Sequence, residues 1–325
     1  MPPRTFGGEN QVSVKVGFFM KGSEGIYGIL RRNMPADFEL VTLSNGPIEE
    51  LLPGLDFLIA GKVTSGMLER ACKLRFIQAP GAGSDGIDLE AAAARGIPVA
   101  TTDCGIADEV AELTFALMLA VARRVVELDQ ELRKGNFLMW DRRLVSRTIA
   151  GRTLGIVGMG RIGREVASRA RCFKMNILCA DSQSTSVCPC LPLDELLASS
   201  DIVSLHVPLD ATTRRLMDRE RIARMKPGAI LINVARGEVV DEQALFEALH
   251  DGRLAGAGLD VFDPEPPLAI SPLLRMSNVV LTPHVGSGTL DSIELRARAY
   301  VRNIQRFVAG EEPAGLITTR MEQHV

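Results

Sequence analysis

The stretch Leu154-Gly155-Ile156-Val157-Gly158-Met159-Gly160-Arg161-Ile162-Gly163 decides the fold of the second half of the chain. Its first four residues form an apolar run typical of a buried strand, and residues 164–170 have the pattern of a helix. In this G-x-G-x-x-G spacing, Gly158 permits a tight turn, Gly160 lets the backbone approach a pyrophosphate and Gly163 allows the helix to pack closely on the strand. Because the glycines lie between a strand and a helix, the motif predicts dinucleotide binding.

Two further features of this region support a dinucleotide. The backbone N–H groups of Arg161 and Ile162, at the predicted helix start, are expected to bind the phosphates. Asp181 follows the next predicted strand, 18 residues after Gly163, close to the roughly 20 expected for a carboxylate that binds the adenosine ribose. Its charge would repel a 2′-phosphate, and no Lys or Arg occurs within residues 182–194 to offset that repulsion. The sequence therefore favours NAD over NADP.

Composition excludes several classes of protein. The chain has 325 residues, enough for two domains, and its formal charge of −3 argues against electrostatic binding of nucleic acid. The longest apolar run, residues 115–122, is far shorter than the roughly 20 residues that cross a bilayer. Residues 1–8 contain no apolar signal segment. Six cysteines without a C-x2-C pair favour reduced thiols in a cytoplasmic protein, and we expect no metal site.

Short apolar runs alternate with helical patterns along most of the chain. Strands are predicted at 14–19, 38–43, 57–60, 74–78, 98–100, 154–157, 177–180, 202–205, 229–232, 257–260 and 279–281. Helices are predicted at 23–34, 64–71, 88–95, 161–173, 192–198, 218–224, 241–249 and 289–309. This alternation predicts an α/β protein with two doubly wound parallel sheets. Residues 1–11 are expected to form a loose tail, and residues 182–187 a polar surface loop.

One long helix is predicted between the two series, from Asp108 to Leu132. Apolar residues recur at spacings of three and four, and Gly135 lies just beyond the end of the pattern. The segment is apolar around most of its circumference. We therefore expect it to be buried against another domain or subunit.

Three charged residues follow three consecutive predicted strands. Arg236, Glu265 and His284 come after the strands at 229–232, 257–260 and 279–281. Carboxyl ends of parallel strands meet at one edge of a sheet, so these side chains are expected to converge there. Hydride reduction of a 2-oxo acid needs a cation for the carboxylate and carbonyl, a proton donor near neutral pH, and a carboxylate that keeps that donor charged. Arginine, histidine and glutamate supply these groups.

The sequence resembles the D-isomer-specific 2-hydroxyacid dehydrogenases from about Val12 to Val308, and the phosphoglycerate dehydrogenase and glyoxylate/hydroxypyruvate reductase branches are the most similar. The motifs that carry the resemblance are Gly155-Ile156-Val157-Gly158-Met159-Gly160-Arg161-Ile162-Gly163, His206-Val207-Pro208-Leu209, Asn233-Val234-Ala235-Arg236-Gly237, Asp260-Val261-Phe262-Asp263-Pro264-Glu265-Pro266 and Leu281-Thr282-Pro283-His284. The family's catalytic residues fall on Arg236, Glu265 and His284. Its cofactor contacts fall on Arg161, Ile162, Asp181, Pro208, Thr213, Val234, Asp260 and Gly286. By their place at the same sheet edge, His206 and Ala235 are added as cofactor contacts, His206 through its backbone rather than by proton transfer.

The resemblance also implies an organisation of domains and a substrate. A Rossmann NAD-binding domain, residues 106–289, is expected to be inserted into a flavodoxin-like substrate-binding domain made of residues 1–105 and 290–325. Backbone N–H groups of Ala82 and Gly83 are expected to bind the substrate carboxylate together with Arg236. The small 2-oxo or 2-hydroxy acid is then the substrate, NAD the cofactor and a homodimer through the nucleotide-binding domain the assembly.

Two alternatives remain open at this point. One is a binding protein with the same fold that senses NAD(H) and recruits a partner, as corepressor relatives do. The other is an enzyme that oxidises formate or phosphite. The formate enzymes usually carry Gln where this chain has Glu265, which argues against the second alternative.

Overall fold

A computed structural model describes residues 14–102, 104–182 and 186–317. The chain divides into two compact units, residues 1–106 with 289–325 and residues 107–288. The predicted tail at 1–11 and the centre of the predicted loop at 182–187 lie outside the described residues. In the part of the chain described, no helix combines the length and apolar character needed to cross a membrane.

The first unit alternates strands and helices from its first described residue. Its elements are β1 (Val14–Phe18), α1 (Glu24–Asn33), β2 (Phe38–Thr42), α2 (Ile48–Leu51), β3 (Phe57–Ile59), α3 (Ser65–Arg70), β4 (Phe76–Gln78), α4 (Leu89–Ala94) and β5 (Val99–Ala100). Side chains of Ser23, Thr64 and Asp88 accept hydrogen bonds from backbone N–H groups in the first turns of α1, α3 and α4 and so fix where these helices begin. Strands β3 and β4 are buried on both faces, which explains their continuous apolar sequence.

The second unit repeats this pattern over a larger sheet. Its elements are α5 (Ile106–Arg123, with its first residue in the first unit), α6 (Val125–Arg133), β6 (Thr153–Val157), α7 (Arg161–Cys172), β7 (Asn176–Ala180), α8 (Leu193–Ser199), β8 (Ile202–Leu205), α9 (Arg219–Arg224), β9 (Ala229–Asn233), α10 (Glu242–His250), β10 (Leu254–Leu259) and β11 (Val279–Leu281). The chain then returns to the first unit through α11 (Leu290–Val308) and β12 (Leu316–Ile317).

Strand order confirms the predicted fold class. The first unit has the order β2-β1-β3-β4-β5-β12, parallel except that β12 pairs antiparallel with β5. Its first five strands have the order of flavodoxin-like sheets. The second unit has the parallel order β7-β6-β8-β9-β10-β11. A parallel bridge between Cys179 and Cys190 adds a very short strand outside β7 and completes the Rossmann order.

That bridge also corrects the expectation of six reduced thiols. Cys179 and Cys190 form a disulfide with a Cα–Cα distance of 4.6 Å. Backbone hydrogen bonds from Cys179 to Pro189 and from Leu191 to Cys179 hold the two cysteines side by side. This pairing could not be predicted from the sequence, because it depends on residues 189–191 folding back along β7. Cys72, Cys104, Cys172 and Cys188 are free thiols.

The prediction of one helix from 108 to 132 is wrong, because Arg124 interrupts it. Arg124 has left-handed backbone angles (φ 56°, ψ 34°) and separates α5 from α6. The apolar face of α5 is buried within the chain's own second unit, which corrects the expectation of another domain or subunit. A Cβ atom on Gly256 or Gly258 of β10 would lie 2.7 Å from Val121 or 2.9 Å from Leu117, so these glycines let α5 approach the sheet.

Candidate active site

The three charged residues predicted from the strand ends lie after three neighbouring strands. The order β9-β10-β11 places the loops that carry Arg236, Glu265 and His284 side by side at the carboxyl edge of the second sheet. His284 Nδ1 lies 2.8 Å from Glu265 Oε2. The positive charge of Arg236 contributes to the lowered pKa of Glu265 and opposes the raised pKa of His284, so all three lie within one electrostatic environment.

The imidazole and the carboxylate shift each other's titration. The hydrogen bond to Glu265, followed by its charge, raises the pKa of His284 against the opposing effect of burial. Burial alone would raise the pKa of Glu265, but the hydrogen bond and charge of His284, the Phe262 N–H and Arg236 together lower it. The pair therefore favours a charged imidazolium next to a charged carboxylate. Both side chains are partly exposed, His284 by 48% and Glu265 by 37%, so a small molecule can reach them.

The turn that carries Arg236 is held by Asn233, the last residue of β9. The Asn233 side chain accepts a hydrogen bond from the Ala235 N–H (3.1 Å) and donates one to the Arg236 carbonyl (2.9 Å). Arg236 Nη1 donates to the Ala235 carbonyl at 2.7 Å. This bond ties the guanidinium to its own turn. The motif that contains Asn233 predicts no role for this side chain.

The loop that carries Glu265 is held from three sides. Glu265 Oε1 accepts a hydrogen bond from the Phe262 N–H at 3.1 Å. The side chain of Glu242, in the first turn of α10, accepts one from the Asp263 N–H at 2.9 Å. A Cβ atom on Gly237 would lie 2.0 Å from the Phe262 carbonyl group, so only glycine lets the arginine turn and this loop meet. The sequence did not point to Glu242 or Gly237 as supports of this loop. An acidic residue at a helix start and a glycine in a turn are common, and look the same in a sequence whether or not they hold a neighbouring loop.

Asp260 holds the turn that carries His284. Its carboxylate accepts hydrogen bonds from Thr282 Oγ1 (2.6 Å), the Val285 N–H (2.9 Å) and the Gly286 N–H (2.8 Å). The Asp260 carbonyl accepts the His284 N–H at 2.8 Å. These bonds support His284 in a left-handed backbone conformation (φ 52°), which is uncommon for a residue other than glycine. Asp260 and Gly286 therefore shape the histidine turn, while their predicted cofactor contacts stay a prediction.

The glycine loop fits a dinucleotide phosphate. Gly158 has φ +94°, and its Cβ would lie 2.8 Å from the backbone of His206. A Cβ on Gly163 would lie 2.2 Å from the Gly158 carbonyl oxygen, so glycine is needed for α7 to pack on β6. Gly160, directly before α7, is exposed and has open space where its Cβ would be. An anion can therefore approach the start of α7, where Arg161 and Ile162 lie in the first turn.

Asp181 lies at the end of β7, beside this loop. Its Oδ2 accepts a hydrogen bond from the Met159 N–H at 2.5 Å, which ties the glycine loop to the neighbouring strand. A carboxylate can accept further hydrogen bonds beyond this one, so the contact is compatible with binding a ribose hydroxyl as well. The loop and Asp181 together form the arrangement that NAD requires.

The remaining predicted cofactor residues lie at the same sheet edge. His206 follows β8 and bonds Ser204 Oγ through Nε2 at 2.8 Å. Burial lowers its pKa to about 3, so the ring is neutral near pH 7 and cannot serve as the proton donor. Thr213 Oγ1 donates to the Pro208 carbonyl at 2.6 Å and holds that loop together. Val234 and Ala235 are buried after β9. Their contacts with a cofactor stay predictions.

Ala82 and Gly83 lie in the first unit, in the exposed loop that follows β4. Within the described residues, no acceptor takes a hydrogen bond from the N–H groups of Gly81, Ala82 or Gly83. Backbone N–H groups without an acceptor in the protein can donate hydrogen bonds to a bound anion. The predicted role of Ala82 and Gly83 at a substrate carboxylate stays a prediction.

Comparison with known proteins identifies the family. The family model for the D-isomer-specific 2-hydroxyacid dehydrogenase, NAD-binding domain, matches residues 115–286, slightly more than half of the chain. A glyoxylate reductase of Korarchaeum cryptofilum is 42% identical over 268 residues, which cover 80% of this chain and 81% of that protein. A hydroxypyruvate reductase of Thermotoga maritima is 40% identical over 259 residues, which cover 77% of this chain and 84% of that protein.

A solved structure agrees with both relatives. The D-lactate dehydrogenase of Aquifex aeolicus, complexed with NAD and lactic acid, superposes with a TM-score of 0.80 at 32% identity and covers 91% of this chain and 96% of that chain. The sequence motifs, the two doubly wound sheets and these likenesses agree. The chain belongs to the D-isomer-specific 2-hydroxyacid dehydrogenases, a family of NAD-dependent oxidoreductases.

Proposed function

We propose that this chain reduces a small 2-oxo acid to its D-2-hydroxy acid with NADH, and catalyses the reverse reaction with NAD. The observation that carries the proposal is the contact of 2.8 Å between His284 Nδ1 and Glu265 Oε2 next to the charge of Arg236. A charged imidazole beside a guanidinium is the combination that carbonyl reduction of a carboxylate-bearing substrate requires.

The residues have distinct roles in this proposal. NADH, bound along Gly158–Gly163 and Asp181, supplies the hydride. Arg236 binds the carboxylate and polarises the carbonyl oxygen. His284 Nδ1 is engaged by Glu265, so the proton that neutralises the new alkoxide comes from Nε2. Before the substrate binds, Glu265 stabilises the charged form of the imidazole and fixes the orientation of the ring.

Ala82 and Gly83 complete the substrate contacts in the proposal. Their N–H groups have no acceptor among the described residues, so they can donate to a carboxylate without breaking an existing bond. The small substrates named for the relatives, glyoxylate and hydroxypyruvate, are the first candidates for this chain.

Two finer parts of the proposal concern assembly and compartment. Three large apolar side chains of the second unit, Phe137, Trp140 and Leu144, are 76%, 68% and 90% exposed, which supports association of two copies through this unit. Light scattering should then give the mass of a dimer. The proposed compartment is the cytoplasm, where the free thiols of Cys72, Cys104, Cys172 and Cys188 would stay reduced.

A panel of 2-oxo acids tests the proposal. Purified protein is mixed with glyoxylate, hydroxypyruvate or pyruvate and with NADH or NADPH, and the loss of reduced cofactor absorbance is followed. We expect steady turnover with at least one acid and a preference for NADH. Binding of NADH without turnover of any acid would instead support the corepressor-like alternative. The reductase and dehydrogenase names of the relatives favour the enzyme.

A further inference from the structure

A cluster of buried polar side chains lies beneath the loop that carries Ala82 and Gly83. Gln78, Thr102, Tyr300 and Asn303 are all less than 5% exposed. The Gln78 amide donates to the carbonyls of Ala79 and Ala100 and to Thr102 Oγ1, and its oxygen accepts from Asn303 at 2.8 Å. Buried polar groups are costly unless they are hydrogen-bonded, and a fully bonded cluster of this kind holds one arrangement rigidly.

Tyr300, three residues before Asn303, bonds directly to the loop. It lies in α11, and its hydroxyl donates to the Pro80 carbonyl at 2.7 Å across 220 positions of sequence. Burial raises the pKa of Tyr300, so the phenol keeps its proton and remains a donor at neutral pH. The adjacent Gly81 carbonyl accepts the Thr102 N–H at 2.9 Å. The carbonyl groups of Pro80 and Gly81 are therefore both held by hydrogen bonds, one from the Tyr300 hydroxyl and one from the Thr102 N–H.

Fixing a carbonyl also fixes the next N–H group. A peptide unit is planar and trans, so its carbonyl and its N–H point in opposite directions. The bond from Tyr300 to the Pro80 carbonyl thus sets the direction of the Gly81 N–H. The bond from Thr102 to the Gly81 carbonyl likewise sets the direction of the Ala82 N–H. Both N–H groups then point away from the buried side chains.

We propose that Tyr300 is a positioning residue for the substrate carboxylate. By orienting the peptide between Pro80 and Gly81, it prearranges the Gly81 N–H, the first of the successive amide donors at residues 81–83, before the 2-oxo acid binds. This inference rests on the proposed function, since it assumes that the loop binds the carboxylate. Preorganised donors bind an anion more tightly because less conformational freedom is lost on binding.

The variant Tyr300→Phe tests this role, and Tyr27→Phe is the matched control. Tyr27 and Tyr300 are the chain's two tyrosines, and both are buried in the first unit. Phe keeps the buried ring, so Tyr300→Phe removes only the hydrogen bond to Pro80. We expect the KM for the 2-oxo acid to rise roughly three- to tenfold, as for loss of one neutral hydrogen bond. The KM for NADH should not change.

A second readout is independent of hydride transfer. Oxamate carries a carboxylate beside an amide carbonyl and mimics the substrate. Its dissociation constant in the presence of NADH, measured by calorimetry, should rise in Tyr300→Phe by the same factor as KM. In Tyr27→Phe, both KM values and the oxamate affinity should equal those of the wild type.

Three outcomes would overturn the inference. They are an unchanged KM for the 2-oxo acid in Tyr300→Phe with only a lower melting temperature, an equal rise of KM in both variants, and an unchanged oxamate affinity. Failure of the proposed function looks different, because the wild-type protein itself would then turn over no 2-oxo acid. The two failures are therefore distinguishable.

Discussion

The two units build their carboxyl sheet edges in opposite ways. In the second unit, the loops after β9, β10 and β11 carry charged side chains, and Glu265 and His284 hold each other at 2.8 Å. In the first unit, the loop after β4 presents backbone N–H groups, and neutral buried side chains such as Gln78 and Tyr300 hold it from below. The two sheets nevertheless share a corresponding order of strands, β2-β1-β3-β4-β5 in the first unit and β7-β6-β8-β9-β10 in the second.

This difference indicates that the two sheet edges have different functions. A proton donor must titrate, so the edge that carries it needs charged partners and partial exposure. A carboxylate-binding loop needs only fixed donors, which a rigid neutral network supplies without adding charge. We therefore expect substitutions of the His284–Glu265 pair in the second unit to change the chemical step, and substitutions in the loop after β4 of the first unit to change substrate affinity.

The largest effect is expected for His284→Ala. Removing the proton donor should lower kcat by roughly 10²–10⁴, the usual contribution of acid–base catalysis, while NADH affinity is retained. The rate of NADH oxidation at saturating 2-oxo acid measures this. His250→Ala, which removes an exposed histidine at the end of α10, is the control and should have wild-type activity. Wild-type kcat in His284→Ala would contradict the assignment.

The next effect is expected for Arg236→Ala. Loss of a charged hydrogen-bond donor costs about 1.5–3 kcal/mol, so kcat/KM for the 2-oxo acid should fall roughly 10- to 100-fold, mainly through KM. Steady-state kinetics with varied 2-oxo acid measures it. Arg224→Ala, on the exposed surface of α9 and paired with Asp194, provides the comparison. An unchanged KM would remove Arg236 from the carboxylate.

A backbone donor in the first unit should give an effect of about tenfold. Ala82→Pro removes the N–H group at this position, and Ala82→Gly keeps it. We expect the KM for the 2-oxo acid to rise roughly tenfold in the proline variant alone, with kcat little changed. A fall in kcat with constant KM would break the proposed division between the two edges.

Glu265→Gln is expected to have the smallest effect of the four variants, since its activity at low pH should be nearly that of the wild type. Reduction requires protonated His284, so wild-type activity should fall as the pH rises through the raised pKa of this histidine. Gln removes the negative charge that contributes to this rise. The fall in kcat/KM should therefore begin at lower pH in the variant, with nearly wild-type activity on the acid side. Superimposable pH profiles would show that Glu265 does not control His284.

Much of the fold followed from sequence because its signals are local. Strands β8 and β11 begin and end where the apolar runs do, and α7 begins at Arg161, directly after Gly160 of the glycine loop. The break at Arg124 was invisible, because the residues on both sides keep a helical pattern and no Gly or Pro marks it. The pairing of Cys179 with Cys190 depends on a long-range approach that sequence spacing does not encode.

In the candidate site, too, the features with a local sequence signal were predictable and those that depend on long-range contacts were not. Residue types at strand ends were sufficient to predict that Glu265 and His284 would lie in contact, with the charge of Arg236 nearby, while their catalytic roles stay predictions. The side chains that hold their loops were not predictable, because Asp260 and Glu242 act through backbone N–H groups of other segments. Tyr300 was missed for the same reason, since its partner Pro80 lies 220 residues away.

Transfer of deuterium from NADH tests the central claim most directly. The protein is given hydroxypyruvate and NADH carrying deuterium at both C4 positions, and the product is analysed by mass spectrometry and chiral chromatography. The account predicts D-glycerate with deuterium at C2 from the wild type, and the same product formed far more slowly by His284→Ala. An L product, a product without deuterium at C2, or equal rates for the two proteins would contradict it.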